Sequence, residues 1–225
     1  MEKPLYPSIN MRITQSYGVG THKDSYAIDD ALIDSNISSI RAPFTGIIKK
    51  IYSDDANEVW LESLNLVEYP DKTIDYMTIM FAHDNDVKDL FVGKIINQGD
   101  YFYSEGTKGN ATGNHIHLEC GKGKFSGTGW YKNASGYYSI NNAKKPEDCL
   151  WLDEKINIIS NAGLNFKKIE IPKPEPKPEP EPKPEPKPEP LPPQNNKKLI
   201  YTSPKKGLYG IYLSKNDKLY IEKSE

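Results

Sequence analysis

Hydrophobic residues in the first two thirds of the chain occur in short runs, several of which alternate with polar residues. The runs at 11–17, 46–52, 58–62 and 74–81 are rich in β-branched and aromatic residues, and Asp, Asn, Gly or Pro bound them. This pattern is typical of β-strands separated by turns. Only 86–90 and the neighbourhood of Ser160 favour short helices. Residues 1–168 are therefore predicted to form one mostly β domain built on an antiparallel sheet.

A tract at 172–193 has a different composition, because proline alternates there with Lys or Glu. Proline fixes φ and lacks a backbone donor, which excludes helix and sheet. A polyproline II rod of this length would span about 70 Å at about 3.1 Å per residue. We interpret 169–196 as a linker that separates two modules. A tolerated low-complexity insertion is the alternative.

The chain after this linker contains three more apolar runs, at 199–202, 208–213 and 218–221. They predict a small β module over 197–225 with three strands in a meander. A segment of fewer than about 40 residues without a disulfide or a metal seldom folds alone. We therefore expect it to form a homo-oligomer, to dock elsewhere or to order on its target. Its tyrosines suit either a binding face or a core.

Charge and composition exclude several classes of protein. A formal net charge of −2 argues against nucleic acid as the main partner. No apolar run is long enough for a transmembrane helix, so no membrane insertion is expected. The first residues lack the apolar core of a secretory signal peptide, which predicts another route if the target lies outside the cytoplasm. Cys120 and Cys149 are expected to be buried free thiols, with a disulfide between them as the alternative.

The four histidines carry the strongest chemical signal. Imidazole is the commonest metal ligand and the commonest general base near neutral pH. Residues two apart on a strand point to one face, so His115 and His117 should project together, with Glu119 on the same side. Catalytic zinc usually takes three protein ligands and leaves one position open. Asp29, near His22 in sequence, is the natural oxygen ligand.

Other readings of these segments stay open. Asp24 and Asp30 compete with Asp29, although Asp30 would face the opposite side of an extended segment. The glycine-rich loop at 106–113 lacks the ending and the helix of a phosphate-binding loop, so we interpret it as a loop at the rim of a cleft. Cys120 has the opposite strand phase from His117 and is taken as structural. Four aromatic residues suit either the cleft or the core: Trp130, Tyr131, Tyr137 and Tyr138.

The run Gly-Thr-Lys-Gly-Asn-Ala-Thr-Gly-Asn-His-Ile-His-Leu-Glu at 106–119 resembles the signature loop and His-x-His strand of lysostaphin/LytM-type zinc metallopeptidases. The upstream pair His22 and Asp29, a third motif ending in His83, and the turns at 42–48 and 92–100 resemble further motifs of the family. They occur in family order over roughly residues 10–125. The resemblance implies an open groove on an antiparallel, duplicated-hybrid-motif-like sheet.

The resemblance also implies roles for individual residues. His22, Asp29 and His117 would hold one Zn²⁺ ion, His83 and His115 would be catalytic, and Glu119 would orient a ligand imidazole. Zinc lowers the pKa of bound water to about 7 and polarises a carbonyl, and an imidazole can move the proton. The first motif departs from the family, because three extra residues separate His22 from its aspartate. This departure keeps the choice of aspartate open.

The function implied is a zinc endopeptidase that cleaves peptide bonds in bacterial peptidoglycan. A phage or prophage lysin is expected, either released from the host cytoplasm by holins or carried in a virion, with the C-terminal module binding the wall. One alternative is a histidine phosphotransfer domain of the sugar-specific IIA type, which shares the Ala-Pro-x-x-Gly turn. Another is an inactive structural homologue in a phage tail. Asp29 argues against the first alternative, and the retention of every histidine argues against the second.

Overall fold

The computed structural model describes residues 1–31, 37–53 and 55–169, together with the backbone of three later strands. The strands up to residue 169 are β1 (Asn10–Gln15), β2 (Ile28–Asp30), β3 (Ser39–Arg41), β4 (Gly46–Tyr52), β5 (Glu58–Ser63), β6 (Val67–Glu68), β7 (Ile74–Asp75), β8 (Met77–Ala82), β9 (Ile95–Ile96), β10 (Tyr101–Ser104), β11 (Ile116–Lys122), β12 (Trp130–Lys132), β13 (Tyr138–Ile140), β14 (Ala143–Lys144), β15 (Trp151–Leu152), β16 (Asn157–Ser160) and β17 (Lys167–Lys168). Two short 3₁₀ helices accompany them, Gly20–His22 and Pro146–Asp148.

A nine-stranded sheet dominates the fold, in the order β16-β1-β2-β11-β8-β5-β4-β9, with β14 also paired to β11. Its neighbouring strands run antiparallel, apart from β1 and β16, which are parallel. The prediction of a mostly β, antiparallel fold is therefore confirmed. The parallel pair at one edge was not predicted, because strand runs alone do not fix the direction in which distant segments pair.

Strand β11 shows how the sheet separates its two faces. Ile116, Leu118 and Cys120 are fully buried in the main core, while the alternate residues His117 and Glu119 point to the other face. Because successive side chains on a strand point to opposite faces, one short run supplies both the core and the site. Each large apolar side chain buried in this way contributes roughly 1.5–3 kcal/mol to stability.

The face that carries His117 is partly covered by the excursion between β11 and β14. The hairpin of β12 and β13 lies in this excursion and pairs Trp130 with Ile140. Ile140 packs with Trp60 and Met80 in a second, smaller hydrophobic cluster. Both faces of β8 are consequently covered, and all six of its residues are buried. The hairpin leaves the remaining part of this face as a cleft.

Two turns that contribute to the family resemblance contact each other. The backbone N–H of Ala42 donates to the carbonyl of Asp100 at 2.8 Å, and the N–H of Gly99 donates back to Ala42 at 2.9 Å. The side chain of Gln98 donates to the carbonyl of Pro43 at 2.8 Å. These bonds join the ends of β3 and β10, which pair in a separate two-stranded sheet.

The prediction of short helices at 86–90 and near Ser160 is wrong. Residues 86–90 form a turn, in which the carboxylate of Asp84 accepts from the N–H of Asp86 and the carboxylate of Asp86 accepts from Lys88. Aspartate side chains compete in this way with helical hydrogen bonds. Ser160 belongs to strand β16. Cys120 and Cys149 are buried and free, in agreement with the favoured reading of the two thiols.

Contacts divide the chain into two compact units, Met1–Ile171 and Pro172–Glu225. In the second unit the backbone forms an antiparallel sheet of β18 (Lys198–Thr202), β19 (Tyr209–Leu213) and β20 (Leu219–Lys223), in that order. Most of the predicted linker at 169–196, and the side chains of the module, lie outside the described residues, so their roles stay predictions. Within the described part, no helix is long and apolar enough to span a membrane.

Candidate metal centre

Residues from three separate segments meet at one end of the sheet. Asp29 on β2 is the cross-strand partner of His117 on β11, which also pairs with Ala82 on β8. His22 ends a 3₁₀ helix, and its carbonyl accepts hydrogen bonds from the N–H groups of Gly18 and Ser25. The chain then turns through Asp24, whose φ is 63°. This turn accommodates the three extra residues of the first motif and returns the chain to Asp29.

The three predicted ligands converge on each other. Nε2 of His22 lies 3.3 Å from Oδ1 of Asp29, and Nδ1 of His117 lies 3.2 Å from the same oxygen. One ligand atom from each residue lies within 4.8 Å of the other two. Tetrahedral zinc with bonds of about 2.0–2.1 Å keeps neighbouring ligand atoms about 3.3 Å apart. Direct charge-assisted hydrogen bonds are shorter, about 2.7–2.9 Å. Both the spacing and the two-nitrogen, one-oxygen donor set therefore fit zinc.

Glu119 fixes the orientation of His117. Its Oε1 lies 3.3 Å from Nε2 of His117, and its Oε2 accepts from the backbone N–H of Ile140 at 3.0 Å. The Glu119 side chain is only 1% exposed. A buried carboxylate that holds one ring nitrogen directs the other toward Asp29, which is the usual arrangement behind a metal-binding histidine. Glu119 thus lies where the sequence predicted it.

The carboxylates on either side of His117 control its protonation. Burial would lower the pKa of His117, but hydrogen bonds to Asp29 and Glu119 outweigh burial and raise the pKa to about 10. Burial would raise the pKa of Asp29, but hydrogen bonds from His117 and His22 hold it well below its usual range. In the metal-free protein at neutral pH, His117 therefore carries a proton between two carboxylates. A cationic ligand can replace that positive charge.

His83 and His115 lie beside the cluster with their rings 4.6 Å apart. Nδ1 of His83 is 2.7 Å from the carbonyl of Lys108, and Nδ1 of His115 is 2.8 Å from the carbonyl of Gly113. A carbonyl only accepts, so Nδ1 donates in both rings. In the neutral tautomer, Nε2 is then left as a proton acceptor. Burial lowers the pKa of His83 to about 4, helped by the nearby His117, so His83 is neutral at pH 7.

The loop at 106–113 orients these two histidines, a role that the sequence analysis missed. Both acceptor carbonyls belong to this loop. Gly106 and His115 exchange two backbone hydrogen bonds of 3.1 Å, and Lys108 donates to the carbonyl of His83 at 3.1 Å. A Cβ at Gly106 would overlap the backbone of His83, so this close approach requires glycine. The loop therefore does more than border a cleft. Its glycines were the feature of the sequence that could have indicated this close contact with His83.

The rival aspartates lie outside the cluster. Asp30 is buried on the opposite face, where it accepts from the Tyr6 hydroxyl at 2.9 Å and from the N–H of Arg12 at 2.7 Å. Asp24 accepts from the hydroxyl of Ser135 at the tip of the β12–β13 hairpin. Nδ1 of His22 is buried without a hydrogen-bond partner among the described residues. The His22 ring is therefore positioned by Asp29 at its Nε2 and by edge-on packing against the ring of His117, and within the described part of the chain it has no contact at Nδ1 like those of the other three imidazoles.

Two adjoining cavities open around the cluster. A cavity of about 180 Å³ contains all four histidines in its lining, and a second of about 290 Å³ shares His83 and His117 with it. Of the four aromatic residues proposed for the cleft, Tyr137 lines the first cavity, Trp130 the second and Tyr138 both. Tyr131 lines neither and is exposed. Trp60 also lines the second cavity and was not among the residues predicted for the cleft, although its alternation with Glu58 and Glu62 on β5 places all three on the cleft face.

The chain was compared with protein families, curated proteins and solved structures, and only solved structures match it. The sequence matches no protein-family model. It also matches no curated protein. The chain is similar to the catalytic domain of the prophage-encoded M23 protein EnpA from Enterococcus faecalis, in a mutant form, with 20% identity and a TM-score of 0.40 over 54% of this chain and 88% of that one. The structure of LytU has 23% identity to this chain and a TM-score of 0.42, and the match covers 61% of this chain and 82% of that one.

Two further structures show the range of these likenesses. The catalytic domain of the antimicrobial peptidase lysostaphin from Staphylococcus simulans has 19% identity and a TM-score of 0.36, over 56% of this chain and 84% of that one. A chain of the SpoIIQ–SpoIIIAH pore-forming complex has 17% identity and a TM-score of 0.44, over 67% of this chain and 92% of that one. These solved structures thus include both peptidases and a complex described as pore-forming. The function of this chain therefore rests on its own side chains.

Proposed function

We propose that this chain is a zinc-dependent endopeptidase that hydrolyses peptide bonds in bacterial peptidoglycan. The observation that carries the proposal is the convergence of His22, Asp29 and His117, whose facing atoms are 3.2–3.3 Å from the shared carboxylate oxygen. This donor set leaves one position of a tetrahedral ion for water or substrate, as in catalytic rather than structural zinc sites. The sequence resemblance supplies the reaction class and the substrate.

Residues of the chain account for the proton transfers that peptide hydrolysis needs. When bound, zinc would polarise the scissile carbonyl and make water acidic enough to attack near neutral pH. The carbonyls of Lys108 and Gly113 hold Nδ1 of His83 and His115, so Nε2 is the ring nitrogen that remains for proton transfer in each residue. One such imidazole can accept a proton from the attacking water, and either can return it to the leaving amine. No serine or cysteine nucleophile is required.

The phosphotransfer alternative fits this site poorly. A phosphoryl group on His22, His115 or His117 would meet the carboxylate of Asp29, whose Oδ1 is 3.2–3.7 Å from a nitrogen of each of these residues. Repulsion between like charges at that distance is strong in a partly buried site. An inactive structural role is also disfavoured, because every ligand and both neighbouring histidines are retained with orienting contacts or packing.

The place of action and the partner follow from the substrate. We propose the bacterial cell wall as the site of hydrolysis, reached from the host cytoplasm through holins or from a virion. The second unit is proposed to bind the wall or to form a homo-oligomer, held apart from the enzyme by the proline-rich linker. Nucleic acid and membrane have no part in the proposal.

The test combines cell-wall clearing with metal analysis. Purified cell walls should lose turbidity with the wild-type protein, stop clearing after chelation and clear again after zinc is restored. His117→Ala should lose both bound zinc and clearing, because His117 is a proposed ligand. His115→Ala should keep zinc and lose clearing, because His115 lies beside the ligands and is proposed to transfer protons. Asp24→Asn is the matched control for Asp29→Asn, and only the latter should lose zinc. Clearing that survives chelation and His117→Ala would disprove the proposal.

A further inference from the structure

His22 differs from His117 in that, among the described residues, no group outside the ligand set holds its ring by a hydrogen bond. Its Nε2 faces Asp29 at 3.3 Å, and its ring packs edge-on against His117 with the centroids 4.9 Å apart. Its Nδ1 is buried without a partner in the described part of the chain. His117, by contrast, is oriented by Glu119. The backbone that carries His22 must therefore bring its ring to the metal.

We call residues 18–25 the His22 turn, because their backbone closes around this residue. The carbonyl of His22 accepts from the N–H of Gly18 at 3.0 Å, and from the N–H and the hydroxyl of Ser25, both at 3.1 Å. These bonds make the turn compact. They do not attach it to the sheet, because donors and acceptor all lie within the turn. The position of His22 relative to the other two ligands thus depends on what ties the turn to the sheet.

A β-bulge in β1 aims Gln15 at the His22 turn. Ile13 pairs with Asp30 but Gln15 pairs with Asp29, so β2 advances by one residue where β1 advances by two. Ile13 and Asp30 are buried on the core side of the sheet. On a regular strand Gln15 would share that side, because residues two apart point the same way. The bulge instead places Gln15 beside Asp29 on the cleft face, and bulges next to active sites often re-aim a side chain in this way.

The amide of Gln15 ties the turn to the sheet. Its Nε2 donates to Oγ1 of Thr21 at 2.8 Å and makes a longer bond of 3.4 Å to the carbonyl of Val19. A carbonyl only accepts, so the NH₂ group is the end of the amide that faces the turn. A Cβ at Gly20 would lie 3.3 Å from Nε2, so glycine lets the amide pack closely between its two acceptors. Gln15 therefore holds the three residues that precede His22.

We propose that Gln15 is a positioning residue for the zinc ligand His22. The paired residues Gln15, Asp29 and His117 form a row across the cleft face, because β2 lies between β1 and β11. Two members of this row are ligands, and the third fixes where the remaining ligand stands. Residues that orient metal ligands typically contribute about 10–100-fold to metal affinity. This inference rests on the proposed zinc peptidase function and gives Gln15 a role that the family resemblance did not.

Zinc affinity of the full chain tests this role without relying on hydrolysis. Gln15→Met keeps the length of the side chain and removes both donors. Competition with a colour-forming chelator should show zinc binding about tenfold weaker than in wild type, the lower end of the range, because Gln15 acts through the backbone and does not touch the ring. Thr21→Val removes one acceptor and keeps the shape of the side chain. It should weaken binding by a smaller factor, and it should add no loss in the Gln15→Met background.

The matched control is Gln98→Met. The side-chain amide of Gln98 also donates to two acceptors, the carbonyls of Lys3 and Pro43, at 2.7 and 2.8 Å. Gln98 lines neither cavity of the cleft. Loss of its bonds should lower the free energy of unfolding of the metal-free protein, as expected for any structural amide, and should leave zinc affinity equal to that of wild type.

The outcomes separate this inference from the proposed function. If wild type binds zinc and Gln15→Met binds it equally well, the role of Gln15 is refuted and the metal centre stands. The same role is refuted if Gln98→Met weakens zinc binding as much as Gln15→Met does, since the effect would then report general destabilisation. A wild-type protein that binds no zinc would refute the metal centre, and with it the role of Gln15.

Discussion

Zinc binding should release a proton, and the size of this effect follows from the surroundings of His117. Its pKa is about 10 because the hydrogen bonds to Asp29 and Glu119 outweigh the burial that lowers it. The metal-free site therefore holds a proton at pH 7. Zinc needs the lone pair of Nδ1 and must displace this proton. Between pH 7 and pH 10, zinc affinity should rise about tenfold per pH unit, or about 1.4 kcal/mol.

Calorimetry measures this proton directly. Titrating zinc into the chelator-treated protein at pH 7, in two buffers with different ionisation enthalpies, gives the number of protons released, and about one is expected from His117. His115→Ala is the matched control and should release the same number, because His115 contacts Asp29 only at 3.7 Å. Competition with a chelator at pH 6.5 and 8.5 should show affinity rising with pH. Affinity that does not change with pH, with no proton released, would refute this account of His117.

The same pKa has a consequence for the stability of the metal-free protein. A folded-state pKa above the unfolded value of about 6.5 means that the folded state binds the proton more tightly. This contribution to stability is complete below about pH 6.5 and is lost as the pH rises towards 10. The free energy of unfolding should therefore fall over that interval, and zinc should abolish this part of the dependence.

Three further predictions concern the support of the site. Glu119→Gln should lower the free energy of unfolding of the metal-free protein by about 1–3 kcal/mol in urea, because one amide oxygen cannot serve both donors that the carboxylate serves; stability equal to wild type would contradict this. Gly106→Ala should reduce cell-wall clearing at least about tenfold with zinc content unchanged, since the new methyl group would overlap the backbone of His83; full clearing would show that the loop does not position this histidine. Cys120 and Cys149 should react with a thiol reagent only after unfolding, because both are buried and burial raises the pKa of Cys120; rapid labelling of the native protein would contradict the buried thiols.

Local sequence determined the strand content and the alternation of faces. The runs at 46–52 and 58–62 correspond to β4 and β5, because β-branched and aromatic residues between turn formers have few other stable conformations. The same alternation placed His117 and Glu119 on one face and Cys120 on the other. The helix expected at 86–90 failed because aspartate side chains took the backbone donors, a local competition that apolar spacing does not reveal.

Tertiary structure alone decided how distant segments meet. The pairing of β11 with β2 brings Asp29, rather than Asp24 or Asp30, to His117, and this choice depends on a register that no single strand encodes. The loop carbonyls that orient His83 and His115 are backbone atoms, which every residue carries and which leave no mark in a sequence. The sequence shows which side chains are present and how they alternate on a strand, whereas the distances between side chains from different segments depend on long-range strand pairing.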